Sequence, residues 1–225
     1  ILKKKLKNNE VTIGTWITLP SPSIAEILSN SNFDWITVDL EHSTININQA
    51  EELIRVIDLC GKTPLVRLTD NDKNQIKRIM DAGAHGIIIP MINNQEELLK
   101  AIKSTRYFPN GTRGVGLARA QKYGKNFKNY FKWQKNQPIV IAQIENKKAL
   151  ENLDNIFSVK DLDGYIIGPY DLSASLGCPG EFKHPDYLKA IKEITNTAKK
   201  YKCSSGIHIV EPDIQEIKKA IKNNF

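Results

Sequence analysis

The sequence predicts an α/β fold, a (β/α)8 barrel that lacks its final unit. Three observations carry this. Short apolar runs alternate with helical patterns seven times along 225 residues. The runs are apolar at consecutive positions, as strands buried on both faces are. The turns are short, so neighbouring runs lie as parallel strands covered by helices. An open doubly wound sheet competes, but no G-x-G-x-x-G turn follows the first run, which weakens a dinucleotide-binding reading. Residues 1–225 read as one domain, a length that barrels often fill. An eighth strand is due near residues 223–225, so a missing or truncated last unit is expected.

The elements follow in order. Residues 12–19 form the first strand, broken by Pro20 and Pro22, and Ser23 reads as the N-cap of a helix to Ser29. Residues 35–40 form the second strand, which ends abruptly in Glu41 and His42. Residues 48–60 are helical, with Ala50, Leu53, Ile54 and Ile57 on one face and Gly61 as the stop. Residues 64–68 form the third strand and carry Arg67, and the helix 72–82 closes at Gly83. Residues 86–90 are the fourth strand, followed by a helix over 95–104. The stretch 107–126, with Gly111, Gly114, Gly116 and Gly124, is long enough to suggest a lid or an interface. An aromatic helical segment spans 127–133, and strand 139–144 ends at Glu145. A helix over 147–157 leads to strand 164–167, which ends in Gly168-Pro169-Tyr170-Asp171. A helix within 184–201, a seventh strand over 206–210 and a helix over 213–221 complete the pattern.

Composition narrows the class. No apolar run approaches the roughly 20 residues of a membrane span. The first seven residues are too short an apolar stretch for a secretory signal and read as the surface helix or leader of a cytoplasmic protein. The net charge of +7 comes from scattered lysines with no basic and aromatic stripe, which argues against nucleic acid. A solvated surface explains the charge, and a mild pull on acidic small molecules is the alternative. Cys60, Cys178 and Cys203 have no paired spacing, which fits a reducing compartment.

In a parallel barrel the active site lies at the C-terminal ends of the strands. Glu41, His42, Arg67, Gln143, Glu145, Gly168 and Asp171 fall there. Glu145 and Asp171 could share one hard divalent cation or be solvated carboxylates. Arg67, inside an apolar run, binds an anion or pairs internally, with Glu41 a candidate. His42 is a catalytic base or a satisfied core histidine. For His85, His184 and His208 the structural role is favoured. Amides in the stretch from Gly168 to Ser173 could seat a carboxylate. A cation, an arginine, a base and amides together suit a 2-oxo acid and its enolate.

The motifs Asp39-Leu40-Glu41-His42, Leu65-Val66-Arg67, Met80-Asp81-Ala82-Gly83-Ala84, Ile89-Pro90-Met91, Arg113-Gly114-Val115-Gly116, Gln143-Ile144-Glu145 and Gly168-Pro169-Tyr170-Asp171-Leu172-Ser173 occur in this order. Taken together they resemble the HpcH/HpaI family of class II 2-oxo-acid aldolases. The resemblance implies a barrel of the phosphoenolpyruvate/pyruvate type. It implies reversible cleavage of a 4-hydroxy-2-oxo acid, such as a 2-dehydro-3-deoxy sugar acid or 4-hydroxy-2-oxoheptanedioate, to pyruvate and an aldehyde. It implies a divalent metal, Mg²⁺ or Mn²⁺ with Co²⁺ or Zn²⁺ as further options, held by Glu145 and Asp171. Arg67 then faces the pyruvate oxygen, Gln143 lies beside the ligand, and Gly168, Tyr170 and Asp171 form the carboxylate seat. His42 is the base and Asp81 the carboxylate that orients it. A homo-oligomer is implied, a hexamer built as a trimer of dimers, with an eighth strand and an exchanged helix that this sequence does not contain. The loop 107–126 is expected to help build the aldehyde pocket. Competing readings are a Schiff-base aldolase, for which only Lys147 and Lys148 lie near a strand end, a citrate-lyase-like acyl-CoA lyase, and a catalytically silent scaffold.

Overall fold

The computed structural model describes residues 1–209, 213–223 and 225. Seven strands pair in sequence order, every pair parallel: β1 (Gly14–Ile17), β2 (Trp35–Asp39), β3 (Thr63–Arg67), β4 (Gly86–Ile89), β5 (Ile139–Ile144), β6 (Gly164–Ile167) and β7 (Ser204–Ile207). The helices are α1 (Leu2–Lys7), α2 (Pro22–Ser29), α3 (Ile47–Leu59), α4 (Lys73–Ala82), α5 (Gln95–Thr105), α6 (Phe127–Trp133), α7 (Lys147–Leu150), α8 (Leu153–Phe157), α9 (Pro169–Ser175), α10 (Pro185–Lys200) and α11 (Ile214–Lys222). No helix among the described residues is long and apolar enough to cross a membrane.

The two faces of the sheet bury two separate cores. Successive strand residues point to opposite faces. Ile36, Val38, Val66, Ile87, Val140 and Ile167 pack outward against the helices. Leu65, Ile88, Ile139, Ile141 and Ile166 pack inward against one another. A sheet has an inner core of this kind only if it curls. Trp16 of β1 stacks on His208, just past β7, with ring centroids 5.0 Å apart, so the two edges face each other. Among the described residues no strand pairing joins β7 to β1. A cavity of about 1160 Å³ lies there, lined by Trp16, Trp35 and Gly206 among others. No eighth strand is present among the described residues.

Helix ends follow local chemistry. Asn46 and Gln49 form a capping box at the start of α3. Asp72 and Asn94 accept from the amides of Gln75 and Glu97. The cap of α2 is Ser21 rather than Ser23, because Pro22 takes the first helical position, where its missing N–H costs nothing. The predicted helix over 147–157 is two short helices, α7 and α8. The seventh strand begins at Ser204, earlier than predicted, and residue 210 lies outside the described residues.

Helices return the chain to the starting end of the strands. A strand of five residues such as β3 is about 16 Å long, and a helix of ten such as α4 about 15 Å. The end of α4 therefore comes level with the beginning of β3, and the amide of His85 bonds the carbonyl of Pro64 at 2.9 Å. The loop 107–126 follows α5 and belongs to this same base, beneath the sheet. Arg119 pins it there, 2.7 Å from Asp58 Oδ2 and 3.1 Å from the carbonyl of Ala82. The loop expected to help build the aldehyde pocket therefore lies, within its own chain, at the end opposite the mouth.

The N-terminal helix is not a surface helix. Leu2 is buried and, with Leu6, packs into the inner core. Lys3 donates to Asp163 Oδ2 at 2.6 Å and to the carbonyl of Pro138 at 2.7 Å. Burial depresses the Lys3 pKa and raises that of Asp163, in each case against the partner's attraction. Desolvation thus dominates, and each charge depends on the other. Lys3→Ala should cost on the order of 3 kcal/mol in chemical denaturation, because it strands a buried carboxylate. Lys3→Met combined with Asp163→Asn, whose side-chain oxygen can still accept from the Val140 amide, should recover most of that loss.

Candidate active site

The mouth is the last rung of the inner face. Arg67 lies two residues beyond Leu65, Gln143 and Glu145 two and four beyond Ile141, and Gly168 two beyond Ile166, all of one parity. Asp39 is the register partner of Arg67 on the neighbouring strand.

Asp39 organises one side. Arg67 Nε donates to its Oδ1 at 2.8 Å and Nη2 to its Oδ2 at 2.6 Å, a bidentate pair. The same Oδ1 accepts from the amides of Glu41, at 3.0 Å, and His42, at 3.4 Å. One buried carboxylate therefore sets both the arginine and the turn that carries the histidine. Burial works against its charge, yet Arg67 and the two amides hold the Asp39 pKa below the ordinary carboxylate value. Arg67 Nη1 is 3.1 Å from Glu41 Oε2. The internal pairing considered for Arg67 thus exists, with Asp39 as the closer partner.

Glu145 organises the other side. Its Oε1 accepts from the Met91 amide at 2.6 Å, and its Oε2 accepts from the Gln143 side-chain amide. Met91 has φ of 53°, in the left-handed region that few non-glycine residues occupy. A Cβ at Gly168 would lie 2.5 Å from Glu145 Oε2, so glycine is required for the carboxylate to sit there. Burial pushes the Glu145 pKa up against the bonds from Gln143 and Met91, and the Asp171 charge adds to the rise. Asp171 stands in the first turn of α9, exposed. The ring of Tyr170 meets Phe182 edge-on at 5.1 Å, and the first-turn amides of Tyr170 and Asp171 have no acceptor inside the helix.

Glu41 lies between the two sides. Its pKa is pushed up to about 7 by burial; Arg67 pulls it down, and the charges of Glu145, Asp39 and Asp171 push it up again. Glu41 Oε2 and Gln143 Oε1 are buried without a hydrogen-bond partner. His42 is no core histidine: its side chain is 63% exposed at the rim, with Nε2 3.9 Å from Glu41 Oε2. His184 caps α10 and His85 pairs with Asp58 at 3.2 Å, both structural roles as expected.

Asp81 is the one predicted site residue that the fold does not bring to this mouth. It stands near the end of α4, at the base, because a helix as long as its strand returns the chain to where the strand began. Its surroundings there are Arg113 and Lys77, against whose charges burial still raises its pKa. Its Oδ1 is buried without a partner. Within one chain Asp81 therefore does not orient His42. Sequence reasoning also passed over Asp39, the Met91 amide and Trp16. Parity would have found Asp39, since it precedes His42 by three residues and pairs in register with Arg67.

The donor set bears on a metal. Among the described residues no group of three or more His, Cys, Asp or Glu side chains is placed to hold an ion. Two carboxylates remain, Glu145 aimed by two hydrogen bonds and Asp171 near enough to shift its pKa. A hard cation that keeps part of its water shell needs no more than that from the protein. The residues fit such an ion. Lys147 and Lys148 are exposed on α7, away from any desolvating pocket that a Schiff base requires.

The family profile described as HpcH/HpaI aldolase/citrate lyase matches residues 12–223. The chain belongs to this family. It is 34% identical over 216 residues to the 2-keto-3-deoxy-L-rhamnonate aldolase of Escherichia coli K12, covering 95% of this chain and 80% of that one. An HpcH/HpaI aldolase/citrate lyase family protein from Burkholderia cenocepacia superposes with a TM-score of 0.93 at 28% identity, covering 100% of this chain and 89% of that one. The HpcH/HpaI aldolase of Desulfitobacterium hafniense gives 0.91 at 29%, covering 100% and 87%.

Two outcomes test the geometry. Gly168→Ala should weaken Mn²⁺ binding, measured calorimetrically, by about tenfold or more, since displacing a ligand's support typically costs 10–100-fold. Its circular dichroism should match the wild type. For Glu41, the folded pKa of about 7 exceeds the ordinary 4.5, so its contribution to stability is full below pH 4.5 and is lost as pH rises toward 7. In chelator, Glu41→Gln should flatten the fall in unfolding free energy across that window by on the order of 2 kcal/mol relative to wild type.

Proposed function

We propose that this HpcH/HpaI aldolase cleaves a 4-hydroxy-2-oxo acid of the 2-keto-3-deoxy sugar-acid class, reversibly, to pyruvate and an aldehyde. The observation that carries this is the mouth itself. A charged arginine held by Asp39 faces the paired carboxylates Glu145 and Asp171, with an exposed histidine at the rim. The E. coli relative's activity as a 2-keto-3-deoxy-L-rhamnonate aldolase supports the substrate class. An oxygen-only donor pair favours Mg²⁺ or Mn²⁺ over softer ions. When bound there, such an ion supplies Lewis-acid polarisation of the substrate's carboxylate and 2-oxo oxygens.

The chain's own groups do the rest. Arg67 directs the N–H groups left free by Asp39 at the 2-oxo oxygen, where negative charge develops as the C3–C4 bond breaks. Gln143 aims Glu145 and keeps its own unpartnered Oε1 at the ligand's side. The first-turn amides at Tyr170 and Asp171 meet the substrate carboxylate. His42, wetted at the rim, takes the 4-hydroxyl proton directly or through a water and returns a proton to C3 of the enolate.

Asp81 enters this scheme only from another copy of the chain, because its own copy keeps it at the base. The gap between β7 and β1 belongs, in this reading, to an eight-stranded barrel, closed there by one further strand. Homo-oligomer formation completes the proposal.

The test is exchange of the pyruvate methyl protons in D₂O with Mg²⁺ added, and aldol cleavage of a 2-keto-3-deoxy sugar acid. His42→Ala should slow turnover by about 10²–10⁴-fold with metal binding intact. Mixed oligomers of His42→Ala and Asp81→Ala chains should regain part of the activity if each mouth draws on two copies. Unchanged turnover in His42→Ala removes it as the base, and no recovery in the mixture confines each mouth to one chain.

A further inference from the structure

A bidentate pair fixes the edge of a guanidinium but leaves it free to tilt about the line joining it to the carboxylate. In this mouth two further contacts bear on the tilt, Glu41 Oε2 at 3.1 Å from Nη1 on one side and an aromatic ring on the other. Arg67 Cζ lies 4.7 Å from the centroid of the Trp16 ring, within cation–π range. Trp16 is itself held on two further sides. His208 stacks on it at 5.0 Å with the planes 21° apart, and Trp35 meets it edge-on at 6.5 Å and 84°. The imidazole stays neutral more readily than usual, because burial and the nearby Arg67 charge depress its pKa. A neutral ring is the one that packs beside a guanidinium without repelling it. The stack also joins the first strand to the residues after the last, across the open edge of the sheet.

We propose that Trp16 is a positioning residue for Arg67, setting the plane of the guanidinium whose edge Asp39 sets. The proposal rests on Arg67 serving the reaction, and it predicts that Trp16 acts through Arg67 rather than on the substrate. Trp16→Phe keeps an aromatic face, whereas Trp16→Leu keeps the apolar volume but removes the face.

The experiment is a pair of double-mutant cycles on the full chain. In the first, methyl-proton exchange of pyruvate is followed with Mg²⁺. Trp16→Leu should lower kcat by about tenfold with KM for pyruvate nearly unchanged, and Trp16→Phe should stay within about threefold of wild type. In an Arg67→Lys background, which already lacks the planar fork, Trp16→Leu should cost less than about twofold more. Equal losses from Phe and Leu, or fully additive losses with Arg67→Lys, overturn the proposal. The second cycle reads unfolding midpoints in denaturant for Trp16→Leu, Arg67→Leu and the double variant, without substrate or metal. Non-additive midpoints support the contact, and additive midpoints overturn it. A wild-type chain that shows no exchange removes the proposed function, and this second cycle then decides the stack alone.

Discussion

The pairing of Asp39 with Arg67 is the interaction on which the mouth depends. Both side chains are buried above an apolar inner core, where an unpaired charge costs far more than a pair returns. The arginine cannot leave its carboxylate, and the carboxylate cannot leave the amides of Glu41 and His42. Rigidity at this point therefore comes from desolvation rather than from hydrogen-bond strength. The same low-dielectric setting makes the remaining N–H groups of Arg67 strong donors toward any oxygen that enters.

Three carboxylates then crowd a small volume opposite that one cation. Glu41 and Glu145 both resist ionisation, and Asp171 adds to the strain on each. The Asp39 pKa is instead held below the ordinary carboxylate value, because Asp39 takes the arginine's fork. A mouth with surplus carboxylate, two amide-aimed oxygens and unpartnered buried acceptors is under electrostatic stress that an added cation relieves. Function and instability share a cause here. The residues that suit an ion are those whose charges the chain's own groups compensate least.

Much of this was legible in the sequence. Alternation of apolar runs and helical patterns gave the parallel sheet, and strand ends gave Arg67, Glu145 and Asp171. Strand ends also gave His42, Gln143 and Gly168, and the family motifs added Asp81, Tyr170 and the roles of these residues, of which His42 as base is still a proposal. Asp39 was missed because a carboxylate inside an apolar run reads as part of the strand, although its register with Arg67 marks it as a partner. The role of α1 was missed because a lysine-rich heptad looks solvated. Lys3 is explained by the Pro138 carbonyl and by the buried Asp163, 160 residues away. Contacts at that separation have no local pattern to read.

Asp81 and the loop 107–126 show how far simple geometry goes. Residues that follow a strand lie at one end of such a sheet, and residues that follow a helix lie at the other. Asp81 stands in the last turn of α4 and Arg113 follows α5, so both belong to the base on element order alone. There Arg113 is buried between the rings of Tyr107 and Tyr130, and Asp81 keeps an unpartnered oxygen beside it. A carboxylate in that state is neither discharged by a salt bridge nor relieved by full hydration. In the proposed oligomer the group that would meet it is the rim histidine, His42, of a second copy. Element order thus puts Asp81 and His42 at opposite ends of one chain, which is why the proposed function draws the two from different copies.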